Sequence, residues 1–131
     1  MDMKLELVPV PVTDVDRARD FYVQLVGFVQ DVDVEPAPGV RVVQLTPPGS
    51  SCSIVLSTGL PMVEMSAGAL RGLHLVVNDI EAARAELVDR GVAVGEVDDS
   101  AGGGVRYAPF TDPDGNAWVL QEMSWRTGSA F

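Results

Sequence analysis

Residues 13–28 read TDVDRARDFYVQLVGF, and residues 78–91 read NDIEAARAELVDRG. One grammar governs both stretches. In the first, Thr13 and Asp16 stand at capping-box spacing. Val15, Ala18, Tyr22 and Leu25 recur at helical intervals, which predicts a single inward stripe. Gly27 stands where a left-handed C-terminal cap needs a residue without Cβ. In the second, Asn78 and Glu81 supply the cap pair, Ile80, Ala83 and Leu87 the stripe, and Gly91 the stop. Asp14 and Asp79 are 65 positions apart, as are Val15 and Ile80, Ala18 and Ala83, and Arg19 and Arg84. Gly27 and Gly91 are 64 apart, a slip of one residue. Cap, stripe and stop staying in phase indicate an internal duplication.

The pattern extends outward in both copies. Before the first helix, residues 5–12 predict a strand, with Val8, Val10 and Val12 on one face. Pro9 and Pro11 occupy the other face and cannot donate to a ladder, which suits an edge or partly unpaired strand. Before the second helix, residues 73–77 predict its counterpart. Three strands are expected after each helix: near 28–34, 40–45 and 51–57, then near 92–97, 105–110 and 117–122. The last two of each set are joined by turn sequences, TPPG ending at Gly49 and TDPDG ending at Gly115. The order β-α-β-β-β thus occurs twice in one domain: module one 5–57, linker 58–70, module two 71–122 and tail 123–131. The linker holds Gly59, Pro61, Gly68 and two methionines. It reads as a connector, or as an apolar flap in which Met62 and Met65 adapt to a ligand. Residues 98–104, DDSAGGG, are a second candidate mobile segment.

Bulk properties narrow the function classes. A chain of 131 residues fits one domain with a real core. With 47% apolar and 21% charged residues it is globular. A net charge of −10 repels phosphate backbones and anionic bilayers, so neither nucleic acid nor membrane is an expected partner. The single cysteine, Cys52, excludes an internal disulfide. The opening MDMKLELVPVPV carries acids and prolines where a signal peptide needs a cationic end and an apolar stretch. No apolar run approaches the roughly 20 residues that span a bilayer. A cytoplasmic protein is expected. Gly102–Gly104 lack the Lys-Ser/Thr of a phosphate loop, and one histidine without a nucleophile motif supports no Ser-His-Asp triad.

VTDVDRARDFYVQLVGF at 12–28, HLVVNDIEAARAELVDRGV at 74–92 and FTDPDGNAWVLQE at 110–122, in this order, resemble the glyoxalase/bleomycin resistance/extradiol dioxygenase (vicinal oxygen chelate) superfamily. The resemblance implies an α+β fold of two βαβββ modules that form a cup-shaped sheet with helices outside, and a homodimer. Metal-dependent members line the cup with four His, Glu or Gln side chains. Those positions map here to Leu7, Gly72, Val119 and either Ser53 or Val55. Leu, Gly and Val offer no donor side chain, and one neutral hydroxyl is a weak ligand. No metal or other cofactor is expected.

The remaining polar chemistry gathers near the second module. His74, the only histidine, lies two residues beyond Gly72 and hence on the same strand face. Gln121 stands in the same relation to Val119. His74 reads either as satisfied by a backbone carbonyl or as a ligand contact or acid–base group, since imidazole titrates near neutrality. Arg41, Arg106 and Tyr107, on mid-module strands, read as rim residues or as a grip on an anionic or aromatic ligand. Alternation sets Glu122 with Trp118 and Leu120, away from Val119 and Gln121. Cys52 has no basic neighbour in sequence to lower its pKa and reads as inert.

The leading expectation is a metal-free protein that binds a small apolar or aromatic molecule over a floor of Leu5, Leu7, Val55 and Val119, as the superfamily's drug-sequestering members do. Ser53, His74, Arg106, Tyr107 and Gln121 would orient it. One alternative is a metal-independent enzyme with His74 as acid or base. Another is a metal-dependent lyase, isomerase or dioxygenase, which requires a strand register shifted by two so that His74, Gln121 and Glu122 reach the ion.

Overall fold

The computed structural model describes residues 1–60 and 65–125. Chain contacts divide it into two compact units, Met1–Leu70 with Asp112–Asn116, and Arg71–Thr111 with Ala117–Phe131. Met62 lies outside the described residues.

In the first unit, β1 (Leu7–Pro9) leads to α1 (Val15–Asp20), which continues as a π-helical turn over Phe21–Val26. β2 (Val29–Ala37), β3 (Val40–Thr46) and β4 (Ser53–Thr58) follow. The sheet order is β1-β4-β3-β2, with β1 parallel to β4 and the other pairs antiparallel. In the second unit, β5 (Leu73–Val76), α2 (Ile80–Asp89), β6 (Val105–Thr111) and β7 (Ala117–Met123) form a sheet of order β5-β7-β6. There too the first strand runs parallel to the last. The duplication is therefore one of topology, as the sequence predicts.

Both helices start and stop where the repeat requires, with one correction. The N-caps are Asp14 and Asp79, not Thr13 and Asn78. Each Asp is extended, and its carboxylate accepts from the N–H three residues on, of Arg17 and of Ala82, at 3.0 Å. An ionised carboxylate satisfies that orphan donor and also meets the positive end of the helix dipole. Thr13 is used elsewhere, its hydroxyl donating to Asp114 at 2.6 Å.

α2 ends in a Schellman motif. Val92 N–H reaches Leu87 O, Gly91 N–H reaches Val88 O, and Gly91 has φ 101. At the first helix, Gly27 (φ 99) and Phe28 both donate to Tyr22 O, so the closing loop holds one residue more. The π-helical turn is where the one-residue slip of the repeat is absorbed. It also turns the distal residues off the α stripe. Val15, Ala18 and Tyr22 are buried, whereas Leu25 is half-buried. Tyr22 stacks on Phe28 with ring centroids 5.5 Å apart. Fully buried Leu45, Leu56 and Ile80 each contribute roughly 1.5–3 kcal/mol by leaving water.

The strand expected near 92–97 does not form. Gly95 N–H donates to Pro109 O at 2.8 Å, but Pro109 has no N–H to return. The segment regains the sheet at a single bridge, Asp98 with Tyr107, displaced by one residue from the Gly95–Pro109 register. Arg84, the repeat mate of Arg19, instead holds the Val94 and Gly95 carbonyls. The end of the linker is anchored within the first unit: Gly68 N–H donates to Pro11 O and Leu70 N–H to Asn116 Oδ1.

Two arginine clasps repeat 65 residues apart. Arg41 on β3 grips Asp33 through Nε and Nη2 and Asp16 of α1 at 2.6 Å. Arg106 on β6 grips Glu122 through Nε and Nη2 and reaches Glu81 of α2 at 3.3 Å. The hydrogen bonds from Arg41 hold the Asp33 carboxyl below its ordinary range. A depressed folded-state pKa stabilises above the unfolded value and is lost as pH falls through the folded one. Asp33→Asn is therefore expected to be less stable than the parent at neutral pH. The gap in urea midpoint should close as the pH drops through and below the usual carboxylate range.

Asp112 is buried, and Tyr22 Oη donates to its Oδ2 at 2.6 Å. Tyr22→Phe removes that donor from a buried charged acceptor and should cost about 1.5–3 kcal/mol. A urea midpoint equal to the parent's would show that the phenol is dispensable.

Candidate functional site

The second sheet has two chemically distinct faces. Trp118 and Leu120 of β7 and Ala108 and Phe110 of β6 are buried on the face that α2 covers. Phe110 and Trp118 stack there, 6.1 Å apart and nearly parallel. Period-two alternation puts His74, Val119 and Pro109 in one row across the other face, because His74 pairs with Val119 and Val119 with Pro109. Val76, Gln121 and Tyr107 form the next row.

A hollow of about 340 Å³ lies on this face, lined by His74, Asp98, Tyr107, Pro109 and Val119. It brings together three residues singled out from the sequence, His74, Tyr107 and Val119. The His74 and Tyr107 rings meet edge-to-face at 6.0 Å and 86°. His74 is exposed, and its Nδ1 lies 2.6 Å from Gly72 O. A carbonyl only accepts, so Nδ1 carries a proton, and in the neutral imidazole Nε2 is the nitrogen with the lone pair. Gln121 is half-buried and outside the lining.

Arg106 projects to the helix side, where Glu122 engages it at 3.0 Å. Glu122 also accepts from Ile80 N–H at 3.0 Å, at the start of α2. Its separation from Val119, expected from alternation, holds.

The sequence reading missed Asp98 and Pro109. Asp98 was assigned to a glycine-rich segment. The signal was Asp-x-Ser: Ser100 N–H donates to Asp98 Oδ1 at 2.8 Å, an Asx-turn. The Ser100 hydroxyl and N–H hold the Asp98 carboxyl below its usual range.

Leu7, Ser53 and Val55 lie in the first unit. Leu7 pairs with Ser53 and Pro9 with Val55. Pro9 and His74 are 65 apart, so Val55 is the counterpart of Val119 by register. Ser53 and Val55 are buried, while Leu5 is exposed. Thr46 donates its hydroxyl proton to the Asp31 carboxylate, so in the 2.6 Å contact between hydroxyls Ser53 is the donor. Arg41 is held in its clasp with Asp33 and Asp16. Burial pushes the Cys52 thiol up, the opposite of an activated nucleophile. Met65 lines a smaller hollow of about 130 Å³ with Val10, Val12 and Leu60 among its neighbours.

The family model described as Glyoxalase/Bleomycin resistance protein/Dioxygenase superfamily matches residues 4–120. The chain belongs to this superfamily. Among solved structures it is similar to TnmS3, an antibiotic-binding protein from Streptomyces sp. CB03234, at 41% identity and TM-score 0.81, over 94% of this chain and 98% of that one. It is also similar to a glyoxalase/bleomycin resistance protein from the same organism, at 42% identity and TM-score 0.74, over 89% and 98%. A superfamily member from Sphaerobacter thermophilus DSM 20745 is 33% identical with TM-score 0.75, over 92% and 98%. No curated protein matches the chain.

The superfamily's metal-dependent members make a donor test necessary. The positions that the resemblance maps to their ligands are Leu7, Gly72, Val119 and either Ser53 or Val55, and the pairings of Pro9 with Val55 and of His74 with Val119 favour Val55. This set does not fit a divalent cation, since the one oxygen donor is a hydroxyl already bonded to Thr46. Among the described residues no three of His, Cys, Asp or Glu gather as a metal site. No described helix is long and apolar enough to cross a membrane.

The two faces predict different costs. His74→Ala alters an exposed side chain and should change stability by at most about 0.5 kcal/mol. Trp118→Ala opens the buried face and should cost about 3–5 kcal/mol. Chemical denaturation of both variants checks the contrast.

Proposed function

We propose that this chain binds a small, largely apolar organic molecule and acts by sequestering it, without a metal or other cofactor. The observation that carries the reading is the hollow on the second sheet. His74 and Tyr107 supply ring surface, Val119 and Pro109 supply apolar wall, and Asp98 supplies one polar anchor. Such a balance of apolar lining and few polar groups is the ordinary chemistry of a ligand site. Similarity to an antibiotic-binding protein supports the same reading. Leu7, Ser53 and Val55 are proposed as ligand contacts belonging to the first unit, and Gln121 and Arg106 as flanking residues that steady the second sheet. The chain is proposed to work in the cytoplasm as a homodimer.

Calorimetric titration with a panel of aromatic antibiotics is expected to give saturable binding by at least one member. Tyr107→Ala should weaken it about tenfold, the equivalent of about 1.4 kcal/mol. Val119→Glu should abolish it by placing a charge on the apolar wall. Absence of binding across the panel at millimolar concentration counts against the reading.

One observation favours a second reading, metal-independent catalysis. The Gly72 carbonyl fixes the tautomer of His74, leaving Nε2 as a base at the hollow. Turnover that persists in His74→Ala would remove the imidazole from any such mechanism.

A further inference from the structure

Resting on the small-molecule reading above, we propose that the hollow on the second sheet selects a cationic aromatic ligand, with its protonated nitrogen set against the Asp98 carboxylate. The polar character of the lining is one-sided. Among the described residues Asp98 is its only carboxylate, and neither lysine nor arginine lines it. Arg106, on the same strand as Tyr107, is committed to Glu122 and Glu81 on the helix side. His74 directs its Nδ1 proton to Gly72 O, so the neutral imidazole offers its Nε2 lone pair rather than a second donor. Tyr107 brings an aromatic ring to the lining, the kind of group that attracts a cation to its π-system.

Asp98 is also a placed group. Its backbone exchanges two hydrogen bonds with Tyr107, at 2.8 and 3.0 Å. Its Oδ1 accepts from Ser100 N–H. An anionic ligand would meet this carboxylate with no lysine or arginine beside it among the described lining residues. Asp98 is exposed, so beside a neutral ligand its carboxylate stays with water and adds nothing to binding. A cation alone gains a Coulomb attraction to it, and the net charge of −10 raises the local concentration of cations.

Three tricyclic probes of similar size test this: 9-aminoacridine (cation), 9-anthracenemethanol (neutral) and 9-anthracenecarboxylate (anion). Affinities are read by calorimetry at physiological salt, for the full chain, Asp98→Asn and Glu35→Gln. Glu35→Gln removes the same charge from exposed β2 in the first unit and controls for the general field. The expected result is 9-aminoacridine binding at least tenfold tighter than the neutral probe. Asp98→Asn should bring that ratio to threefold or less with the neutral affinity unchanged, and Glu35→Gln should leave it alone. Equal binding of cation and neutral probe, or an equal effect of the two variants, overturns the inference while the small-molecule reading stands. So does failure of 9-aminoacridine when an aromatic antibiotic binds. Failure of every probe and every antibiotic overturns both.

Discussion

A carboxylate out of water must be surrounded by donors, and the first unit is organised around one. Asp112 is 4% exposed. It accepts from Tyr22 Oη, from the Asp114 and Asn116 N–H groups and from Asn116 Nδ2, at 2.6–2.9 Å. Leaving any buried charge unpaired costs several kcal/mol, so these four donors are coupled to one another. Asn116 extends the constraint by donating to Pro11 O and accepting from Leu70 N–H. The end of the first strand segment, the first helix, the end of the linker and the Asp-Pro-Asp-Gly turn are thereby fixed around one side chain. Hydrophobic burial supplies most of the energy, but it is non-directional. The carboxylate supplies direction.

The arginine clasps perform a related task at the surface. Arg41–Asp16 and Arg106–Glu81 join a strand to the first turn of the preceding helix, in both copies of the repeat. Their acidic helix partners are largely exposed, so each pair contributes about 0–1 kcal/mol. Their consequence for chemistry is larger than for stability. Both guanidiniums are spent on carboxylates, and in the second unit this takes place on the helix side of the sheet. The hollow on the opposite face is lined with rings, aliphatic carbons and Asp98. The same repeat that ties the helices down thus sets the charge of the hollow.

Much of this was legible in sequence because periodicity reports faces directly. The two helices, their glycine stops and seven of the eight expected strands appear where period and turn chemistry put them, and His74 and Val119 fall on one face by the rule of two. Even the slip between Gly27 and Gly91 was visible, although not its form. An extra residue in a helix can be extruded or wound in, and the bonds from Gly27 and Phe28 to Tyr22 O show it wound in. The caps fell one residue later than expected because a capping-box spacing and a following Asp compete for the same N–H groups, and the charged acceptor won. The strand near 92–97 failed for a reason encoded elsewhere, in a proline on the opposing strand. Asp98 was missed because irregular backbone has no period from which its facing could be read.

That proline links local structure to the site. Regular pairing along β6 would need an N–H from residue 109 toward the incoming segment. Pro109 has none, so the chain from Val92 makes one backbone bond to β6, at Gly95, before it meets Tyr107. The interruption shifts the register by one residue, and in a sheet a one-residue shift reverses the face that each later side chain takes. Asp98 lies beyond that shift. Its presence in the lining, beside Pro109 itself, follows from the place where the ladder breaks. The ring and aliphatic walls come from strands with complete ladders, whereas the charged group comes from the one segment without one. Backbone bonds to Tyr107 and the Ser100 turn return to Asp98 the order that the missing strand would have given. A sequence that restored a donor at position 109 would favour the regular strand and with it a hollow of different charge.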